Sequence, residues 1–338
     1  MQSKTGVLLV NLGTPDSPNP RHVGKYLAQF LNDGRVIDIP AIPRFFLVNF
    51  IIIPFRVFRS SRLYKMLWTD KGSPLLYHTD SLSKKVQSRL GEKFIVKTAM
   101  RYQHPSIESS INEILHSGIH KLIVLPLYPQ YASSTTGSTL EEVYRILKKK
   151  NDIPEIVTIG PFYNQANYLE ALMDVSSPYS HEAYDHVLFS FHGLPVRQLE
   201  RGHEKDFDCE NCDCRKTYLP RHFYCYQNAC FETARSMAAK LSIPSEKYTV
   251  AFQSRLGKRW MKPYAEPLIA ELPSKGIKKL LVFSPAFVSD CLETIVEIDY
   301  EYKALFMEKG GEKLTLVPSL NDNEQWVDAV AQFILDKT

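Results

Sequence analysis

Gly118–Pro126 reads GIHKLIVLP, and Gly276–Phe283 reads GIKKLLVF. Each stretch passes from a glycine and basic residues into an apolar run that has the length of one buried strand. Each also follows a helix-like segment and leads into a polar, hydroxyl-rich loop. One strand therefore occurs in nearly the same form in both parts of the chain, which predicts two similar halves.

Short apolar runs recur along the whole chain and alternate with amphipathic, helix-like stretches. Such alternation is typical of parallel sheets that are covered by helices on both faces. The predicted fold class is therefore α/β. The runs are Val7–Asn11, Phe94–Ala99, Leu122–Leu127, Ile156–Ile159, Val187–Phe191, Thr249–Phe252, Leu280–Phe283 and Leu314–Pro318.

The pattern loosens between residues 160 and 180, where Pro161, Pro178 and several small polar residues lie. We place the boundary there, which gives an N-terminal half of residues 1–165 and a C-terminal half of residues 166–338. A length of 338 residues suits two domains of ordinary size.

The charge is nearly balanced, with 41 basic and 37 acidic residues, so nucleic acid is not expected as a partner. The first residues have no apolar segment of the kind found in secretory signals, and we expect the protein to be cytoplasmic.

Polar residues follow the apolar runs directly. Ligands of open parallel sheets bind there, outside the carboxyl ends of the strands. The run His186–Phe191 ends on His192, which precedes a Gly193-Leu194-Pro195 turn. A neutral imidazole at such an edge can ligate a divalent ion or accept a proton near neutral pH. A lone histidine is more often a hydrogen-bonded packing residue, and that alternative stays open.

A second candidate site is acidic. Asp290, Glu293, Glu297 and Glu301 recur at steps of three, four and four, which on an α-helix places the four carboxylates on one face. Like charges at that spacing repel one another and call for a cation. Asp290 and Glu293 also have the spacing of a capping box, but capping does not explain the other two. The row predicts a path for a hard cation or for protons.

Five of the six cysteines lie close together in the sequence. Disulfides are rare in the cytoplasm, so metal ligation by thiolates is the better explanation. Zinc and a 2Fe-2S cluster both take four thiolates, and base rates for the spacing favour zinc. The five are Cys209, Cys212, Cys214, Cys225 and Cys230.

Residues 39–67 form an apolar segment that Pro43 and Pro54 interrupt. Its unbroken runs are too short to span a bilayer, which takes about 20 apolar residues. One interpretation is an interfacial lip that dips its Phe and Ile side chains into lipid. The other is a buried core helix, and periodicity does not separate the two. The basic residues that would meet lipid head groups are Arg44, Arg56, Arg59, Arg62 and Lys65.

Motifs along nearly the whole chain resemble, in order, those of the ferrochelatase family. They are VNLGTP at 10–15, Trp68 with GSPL at 72–75, Arg101-Tyr102, YPQY at 128–131 with STTG at 134–137, FSFHGLP at 189–195, QSR at 253–255 and SDCLET at 289–294. The resemblance implies two Rossmann-like halves, each a parallel sheet flanked by helices, with the active-site cleft between them.

The resemblance also implies an activity, the insertion of Fe²⁺ as substrate into a porphyrin to form haem. His192 would ligate the iron or accept a pyrrole proton, Glu293 would be its carboxylate partner, and Glu297 would be the next member of the acidic path. Protoporphyrin IX is the expected porphyrin, with coproporphyrin III as the alternative, and the apolar segment favours a hydrophobic porphyrin over a soluble polycarboxylate tetrapyrrole. The residues that fall where the family lines its porphyrin pocket are Tyr26, Leu27, Arg35, Arg101, Tyr102 and Trp260.

The cysteine-rich stretch, about residues 204–225, departs from the plain family pattern and resembles an insert. Some members of the family carry a 2Fe-2S cluster. We predict that four of the five clustered cysteines hold such a cluster, with a structural zinc ion as the alternative.

Peripheral membrane association, and a monomer or a homodimer, are compatible with the sequence. Three other functions stay open: a cobalt or nickel chelatase of tetrapyrroles, a haem carrier without catalysis, and a zinc-ribbon interaction module on an inactive enzyme.

Overall fold

The computed structural model describes residues 4–204 and 208–338. Contacts divide the chain into two compact units. The first consists of Met1–Tyr128, Ala132–Gly160 and Val327–Thr338, and the second of Pro129–Tyr131 and Pro161–Trp326. Residues 1–3 of the predicted N-terminal half, and residues 205–207 of the predicted insert, lie outside the described residues. The predicted boundary at residue 165 stays a prediction.

The first unit contains a four-stranded parallel sheet with the order β2-β1-β3-β4. Val7, Leu8, Leu9 and Val10 of the inner strand β1 are all fully buried, as expected for a strand with helices on both faces. The strands are β1 (Lys4–Gly13), β2 (Phe94–Tyr102), β3 (Ile119–Pro126) and β4 (Glu155–Thr158).

The second unit contains another four-stranded parallel sheet, with the order β6-β5-β7-β8. The register sets His192 at the end of β5 opposite Gln253 at the end of β6. Two polar residues of neighbouring strands therefore meet at the carboxyl edge of the sheet. The strands are β5 (His186–His192), β6 (Tyr248–Gln253), β7 (Lys279–Phe283) and β8 (Lys313–Leu316).

The two sheets confirm the repeat read from the sequence. The repeated stretches form β3 and β7, and each pairs with the inner strand of its own sheet, β1 or β5. Gly118 and Gly276, which precede them, both have a positive φ, of 67° and 85°. Glycine adopts this left-handed conformation without the steric cost that a Cβ brings. All eight predicted strands are present.

Helices flank the strands. In chain order the α-helices are α1 (Pro20–Leu31), α2 (Ala41–Phe46), α3 (Ile53–Leu67), α4 (Pro74–Leu90), α5 (Ile107–His116), α6 (Ser138–Leu147), α7 (Ala166–Ser176), α8 (Val196–Glu200), α9 (Tyr226–Lys240), α10 (Ala265–Glu271), α11 (Lys303–Glu308) and α12 (Glu324–Leu335). Each sheet has its own apolar core. Leu8, Ile111 and Val143 pack together in the first unit, and Leu188, Ile269 and Phe306 in the second.

The apolar segment is helical from Ala41 to Leu67. Helix α2 continues through a π-helical turn, Leu47–Ile52, into α3. Pro43 lies in the first turn of α2, where no helical hydrogen bond is lost, and the π-helical turn before Pro54 accommodates the second ring. The expectation of a segment broken by proline is therefore wrong. Among the described residues this is the one helix long and apolar enough to cross a membrane, judged by length and composition alone.

The interpretation of this segment as a buried core helix is also wrong. Only one side packs against the first unit, through Val48, Ser61 and Tyr64. The large apolar side chains on the other side are 45–84% exposed, and they are Ile42, Phe45, Phe46, Phe50, Ile51, Phe55, Phe58 and Met66. Long apolar surfaces of this kind mark sites of interaction with a membrane or a protein.

Candidate functional site

His192 presents one open ring nitrogen at the end of β5. Its Nδ1 lies 2.6 Å from the carbonyl oxygen of Gly193. A carbonyl only accepts hydrogen bonds, so Nδ1 carries the proton and Nε2 keeps the lone pair. Tyr226 donates to the His192 carbonyl at 2.9 Å, and the Trp260 ring lies 6.4 Å from the imidazole, centre to centre. The imidazole is therefore held in the tautomer that a base or a metal ligand requires.

Gln253 links the end of the sheet to the acidic helix. Its carbonyl accepts from the Gly193 N–H at 2.8 Å, and its side-chain oxygen accepts from Ser190 at 2.6 Å. Its amide nitrogen donates to the Glu293 carbonyl at 2.9 Å and to the Glu297 carboxylate at 3.0 Å. Every hydrogen-bonding group of this buried amide is used, so the residue is held rigidly.

Four donors surround the Glu297 carboxylate. The Ser254 N–H and the Tyr302 hydroxyl donate to Oε1, each at 2.8 Å, and Gln253 and the Ser254 hydroxyl donate to Oε2. Ser254 has a φ of 61°, which is uncommon for a residue other than glycine. This conformation costs on the order of 1–3 kcal/mol and persists only where surrounding bonds hold it.

Glu293 and Glu297 lie on a π-helix, Leu292–Tyr302. The predicted α-helical face is therefore wrong for two of its four acids. Asp290 precedes the helix, and its carboxylate accepts from Asn321 at 2.8 Å and from Ser319 at 3.2 Å. Glu301 is exposed. The capping box is formed by Cys291 and Thr294 instead of Asp290 and Glu293. Glu293 and Glu297, both half-buried, remain as the acids of the site.

The cations predicted to contact the porphyrin are engaged within the first unit. Arg101 forms a largely buried ion pair with Asp33 at 2.7 Å. Asp33 also accepts from the hydroxyls of Tyr102 and Ser138. Burial by itself would raise the pKa of Asp33, but these hydrogen bonds and the Arg101 charge outweigh it and hold the pKa below its usual range. Arg35 pairs with Glu141 and donates to Ser133 at 3.1 Å.

The other predicted pocket residues of this unit form an aromatic cluster. Tyr26 and Leu27 are 5% exposed, and Tyr102 is fully buried. The rings of Tyr26 and Phe30 lie 6.5 Å and 5.2 Å from that of Tyr102. The contacts of these residues with a porphyrin stay predictions.

The clustered cysteines surround the start of α9. Gln227, in its first turn, accepts from the Cys209 thiol at 3.0 Å and donates to the Cys214 sulfur at 3.2 Å. Burial and the neighbouring Cys225 raise the pKa of Cys209 to about 12, and burial raises that of Cys225. Within residues 4–204 and 208–338, no three histidines, cysteines or acids are arranged as a metal site.

Arg215 provides a test of whether these thiols suit an anionic group. Its Nη2 donates to the Lys262 carbonyl at 3.0 Å, and its guanidinium lies 5.7 Å from the Phe231 ring. Its buried Nε–H has no hydrogen-bond partner in the part of the chain that the structure describes. A buried donor of this kind is costly unless something accepts from it. Several free thiols and this donor fit a thiolate-bound metal group.

Three residues of these networks have no signal in the sequence. Asp33 lies in the Asn32-Asp33-Gly34 turn, which a turn preference explains fully. Tyr226 resembles any aromatic residue at the start of a helix. Tyr302 follows Glu297 by five residues, a spacing that an α-helix does not bring onto one face but a π-helix does. Only the π-helical register would have identified it.

Comparisons with known proteins agree with the fold and the motifs. A family model described as Ferrochelatase matches residues 4–338. A ferrochelatase of Legionella pneumophila (strain Lens) is 42% identical over 337 residues, which cover 98% of each chain. A ferrochelatase of Coxiella burnetii (strain Dugway 5J108-111) is 42% identical over 332 residues, covering 98% of this chain and 93% of the relative.

Among solved structures, SirB from Bacillus subtilis with Fe³⁺ matches with a TM-score of 0.55 at 12% identity, over 98% of this chain and 95% of that one. At this level of identity the likeness shows the fold alone, a chelatase-type α/β fold with two parallel sheets.

Proposed function

Because the chain belongs to the ferrochelatase family, we propose that it inserts ferrous iron into protoporphyrin IX in preference to coproporphyrin III. Family membership makes it a porphyrin metal chelatase, a lyase that forms haem. Porphyrin and Fe²⁺ are its substrates. The observation that carries the mechanism is the open Nε2 of His192, at the edge where Gln253 holds the helix of Glu293.

His192 acts as the base or the transient ligand at the ring centre. Two pyrrole N–H protons must leave as the metal enters, and the lone pair of a neutral imidazole can accept a proton. The Gly193 carbonyl fixes the proton on Nδ1, so Nε2 is the atom that accepts a proton or contacts iron. A single imidazole binds iron weakly enough for the metal to be passed on.

Glu293 supplies the carboxylate partner. It lies in the first turn of the π-helix and is half-buried, and Gln253 ties its backbone to β6. A carboxylate oxygen is a suitable ligand for Fe²⁺ beside an imidazole, and it also accepts protons. A site of one imidazole and one carboxylate has the sparse ligand set that a transfer reaction needs.

Substitution of either residue should stop metal insertion while porphyrin still binds. We expect His192→Ala and Glu293→Gln to lower kcat by at least about 100-fold, the loss that follows removal of an acid–base group. Anaerobic Fe²⁺ insertion followed by absorbance, and porphyrin binding followed by fluorescence quenching, provide the measurements. Glu301→Gln is the control on the exposed part of the same helix. Full activity in either site variant contradicts the assigned roles.

The preference for protoporphyrin IX is supported by the exposed apolar helix in the first unit. Protoporphyrin carries two carboxylates and coproporphyrin four, so the former partitions more readily into an apolar surface. We expect kcat/KM for protoporphyrin IX to exceed that for coproporphyrin III by at least about tenfold, the equivalent of 1.4 kcal/mol. Anaerobic assays with each porphyrin measure the ratio. Equal values, or a preference for coproporphyrin, contradict the proposal.

We further propose that the protein is cytoplasmic and binds the membrane surface through residues 41–67. The helix packs along the first unit on one side, through Val48, Ser61 and Tyr64. This packing favours a helix lying in the interface over one that leaves the unit to cross the bilayer. Arg56, Arg59, Arg62 and Lys65 are exposed beside the apolar side chains. Arg44 is not available for lipid, because it donates to the carbonyls of Ile37 and Ile39.

Removal of two exposed rings should weaken binding to vesicles. Each buried large apolar side chain contributes at least about 1.5 kcal/mol, so Phe50→Ser/Phe55→Ser should lower partitioning by about 100-fold. Tyr144→Ser/Ile153→Ser is the matched control, since both of its side chains are exposed elsewhere in the same unit. Sedimentation with vesicles of phosphatidylcholine and phosphatidylglycerol measures partitioning. Equal losses in both double variants contradict a specific surface, and resistance to alkaline carbonate contradicts a peripheral one.

For the thiols we propose a 2Fe-2S cluster held by Cys209, Cys212, Cys214 and Cys225. The first three lie in the insert, and Gln227 contacts two of them. Cys225 is the N-cap of α9, and, in addition to burial, its thiolate form contributes to raising the pKa of the Cys209 and Cys214 thiols. Cys230 lies a turn further along α9, is fully buried and shares a hydrogen bond with Tyr226. When bound, such a cluster supplies one-electron redox chemistry; Arg215 would donate its free Nε–H to a cluster sulfur.

Protein purified anaerobically should be brown, with two irons and two acid-labile sulfides per chain in addition to substrate iron. We expect Cys225→Ser to lose the visible absorbance and Cys230→Ser to keep it. Metal analysis and electron paramagnetic resonance of the reduced protein provide the measurements. Colourless protein with stoichiometric zinc would reject the cluster and retain the thiol site. The reverse behaviour of the two variants would exchange the fourth ligand.

A further inference from the structure

We propose that Tyr302 is a positioning residue: through Glu297 it fixes the π-helix that carries Glu293 to the end of β6, so that Glu297 acts as an anchor instead of a carrier of metal or protons. The inference rests on the proposed role of Glu293 and adds Tyr302, which the quoted family motifs do not include. It also replaces the acidic path predicted from the sequence for Glu297.

The first step is the saturation of the Glu297 carboxylate. Oε1 accepts from the Ser254 N–H and from the Tyr302 hydroxyl, while Oε2 accepts from Gln253 and from the Ser254 hydroxyl. A carboxylate offers about four lone-pair positions, two on each oxygen. All four are occupied by donors of the protein. A metal ion could bind only after displacing at least one of them.

The second step concerns the donors. They come from both sides of the joint, the place where Glu297 connects the π-helix to the end of β6. Ser254 and Gln253 belong to the end of β6, whereas Tyr302 belongs to the last turn of the π-helix itself. Tyr302 and Glu297 are five residues apart, one π-helical turn. The Tyr302–Glu297 bond therefore sets the direction of the carboxylate, and the carboxylate then accepts the donors of β6.

The third step connects this joint to Glu293. The amide nitrogen of Gln253 has two hydrogens, one donated to Glu297 and the other to the Glu293 carbonyl. A shift of the Glu297 carboxylate moves this amide, and with it the turn from which the Glu293 side chain extends. The Gln253 backbone also accepts from Gly193, next to His192. The two proposed catalytic side chains are thus positioned from one residue.

Tyr302 is suited to a permanent donor. It is 7% exposed, and burial together with the neighbouring Glu297 charge raises its pKa above the usual range for tyrosine. The hydroxyl therefore keeps its proton throughout the working range of pH. It donates to Glu297 and does not itself take part in proton transfer.

The test compares Tyr302→Phe with Tyr300→Phe. Both remove one hydroxyl from the same π-helix, but Tyr300 is 62% exposed. We expect Tyr302→Phe to lower kcat for Fe²⁺ insertion about tenfold or more, the usual loss when an outer partner of a metal-site residue is removed. The KM and the binding constant for porphyrin should be unchanged, and Tyr300→Phe should behave as wild type. If Glu297 instead carried metal or protons, Tyr302→Phe would free one of its lone pairs and leave kcat unchanged or raise it.

A double-mutant cycle separates positioning from general destabilisation. In a Glu297→Ala background, Tyr302→Phe should cause no further loss of kcat, because no carboxylate remains to be held. Activity is expressed per porphyrin-binding site, so poorly folded protein does not count. If Tyr302→Phe does not fold, Ser254→Ala removes another of the four donors and should lower kcat in the same way.

Additive losses in the cycle, or wild-type kcat in both Tyr302→Phe and Ser254→Ala, overturn the inference. This outcome is distinct from a failure of the proposed function. If the proposed function fails, Glu293→Gln itself keeps full activity, whatever the effect of Tyr302→Phe.

Discussion

The side-chain amide of Gln253 is the interaction on which the proposed active site depends. Gln253 is 1% exposed. Its side-chain oxygen accepts from Ser190 of β5, and its side-chain nitrogen donates to the Glu293 carbonyl and to the Glu297 carboxylate of the π-helix. A buried amide with an unmet hydrogen bond costs about 1–3 kcal/mol, so all of these partners are held together. His192, one strand away in register, shares this rigidity. A site that transfers a metal has few ligands of its own, and its geometry must come from such surroundings.

The fold could be predicted from the sequence because its strands are buried on both faces. Runs such as Val7–Asn11 and Val187–Phe191 are apolar without alternation, and few other structures have that pattern. The repeated glycine before β3 and β7 also has a local cause, its positive φ. The joint around Glu297 could not be predicted, because the sequence spacing was interpreted with an α-helical period. In the structure Asp290 lies before the π-helix, and Tyr302, one π-helical turn after Glu297, enters the network.

The candidate site illustrates the same division. His192 and Glu293 could be identified from the sequence. His192 directly follows a buried apolar run, and Glu293 lies at the start of a helix. The partner of Arg101 was not identified, because Asp33 lies in a turn that has an ordinary local explanation. Ion pairing of Arg101 changes the electrostatics of the first unit. An arginine whose charge is matched by a buried carboxylate attracts a porphyrin carboxylate much less than a free one would, so the net charge offered to the substrate cannot be counted from arginines alone.

The His192 site and the cysteine cluster, both proposed to bind metal, differ in chemistry, and this difference argues against the alternatives to an enzyme. An imidazole with an open Nε2 could also serve a haem carrier as an axial ligand, but a carrier needs no base, whereas the removal of two pyrrole protons requires one. Four of the five clustered thiols are buried, and a metal held by several thiolates suits a resident group better than a transferred one. A zinc-ribbon interaction module would need no function of the π-helix. Four hydrogen bonds to Glu297 and the strained backbone of Ser254 nevertheless fix this helix in place. Backbone strain of this kind is retained where geometry is needed for chemistry. The physical organisation of the second unit therefore agrees with a chelatase.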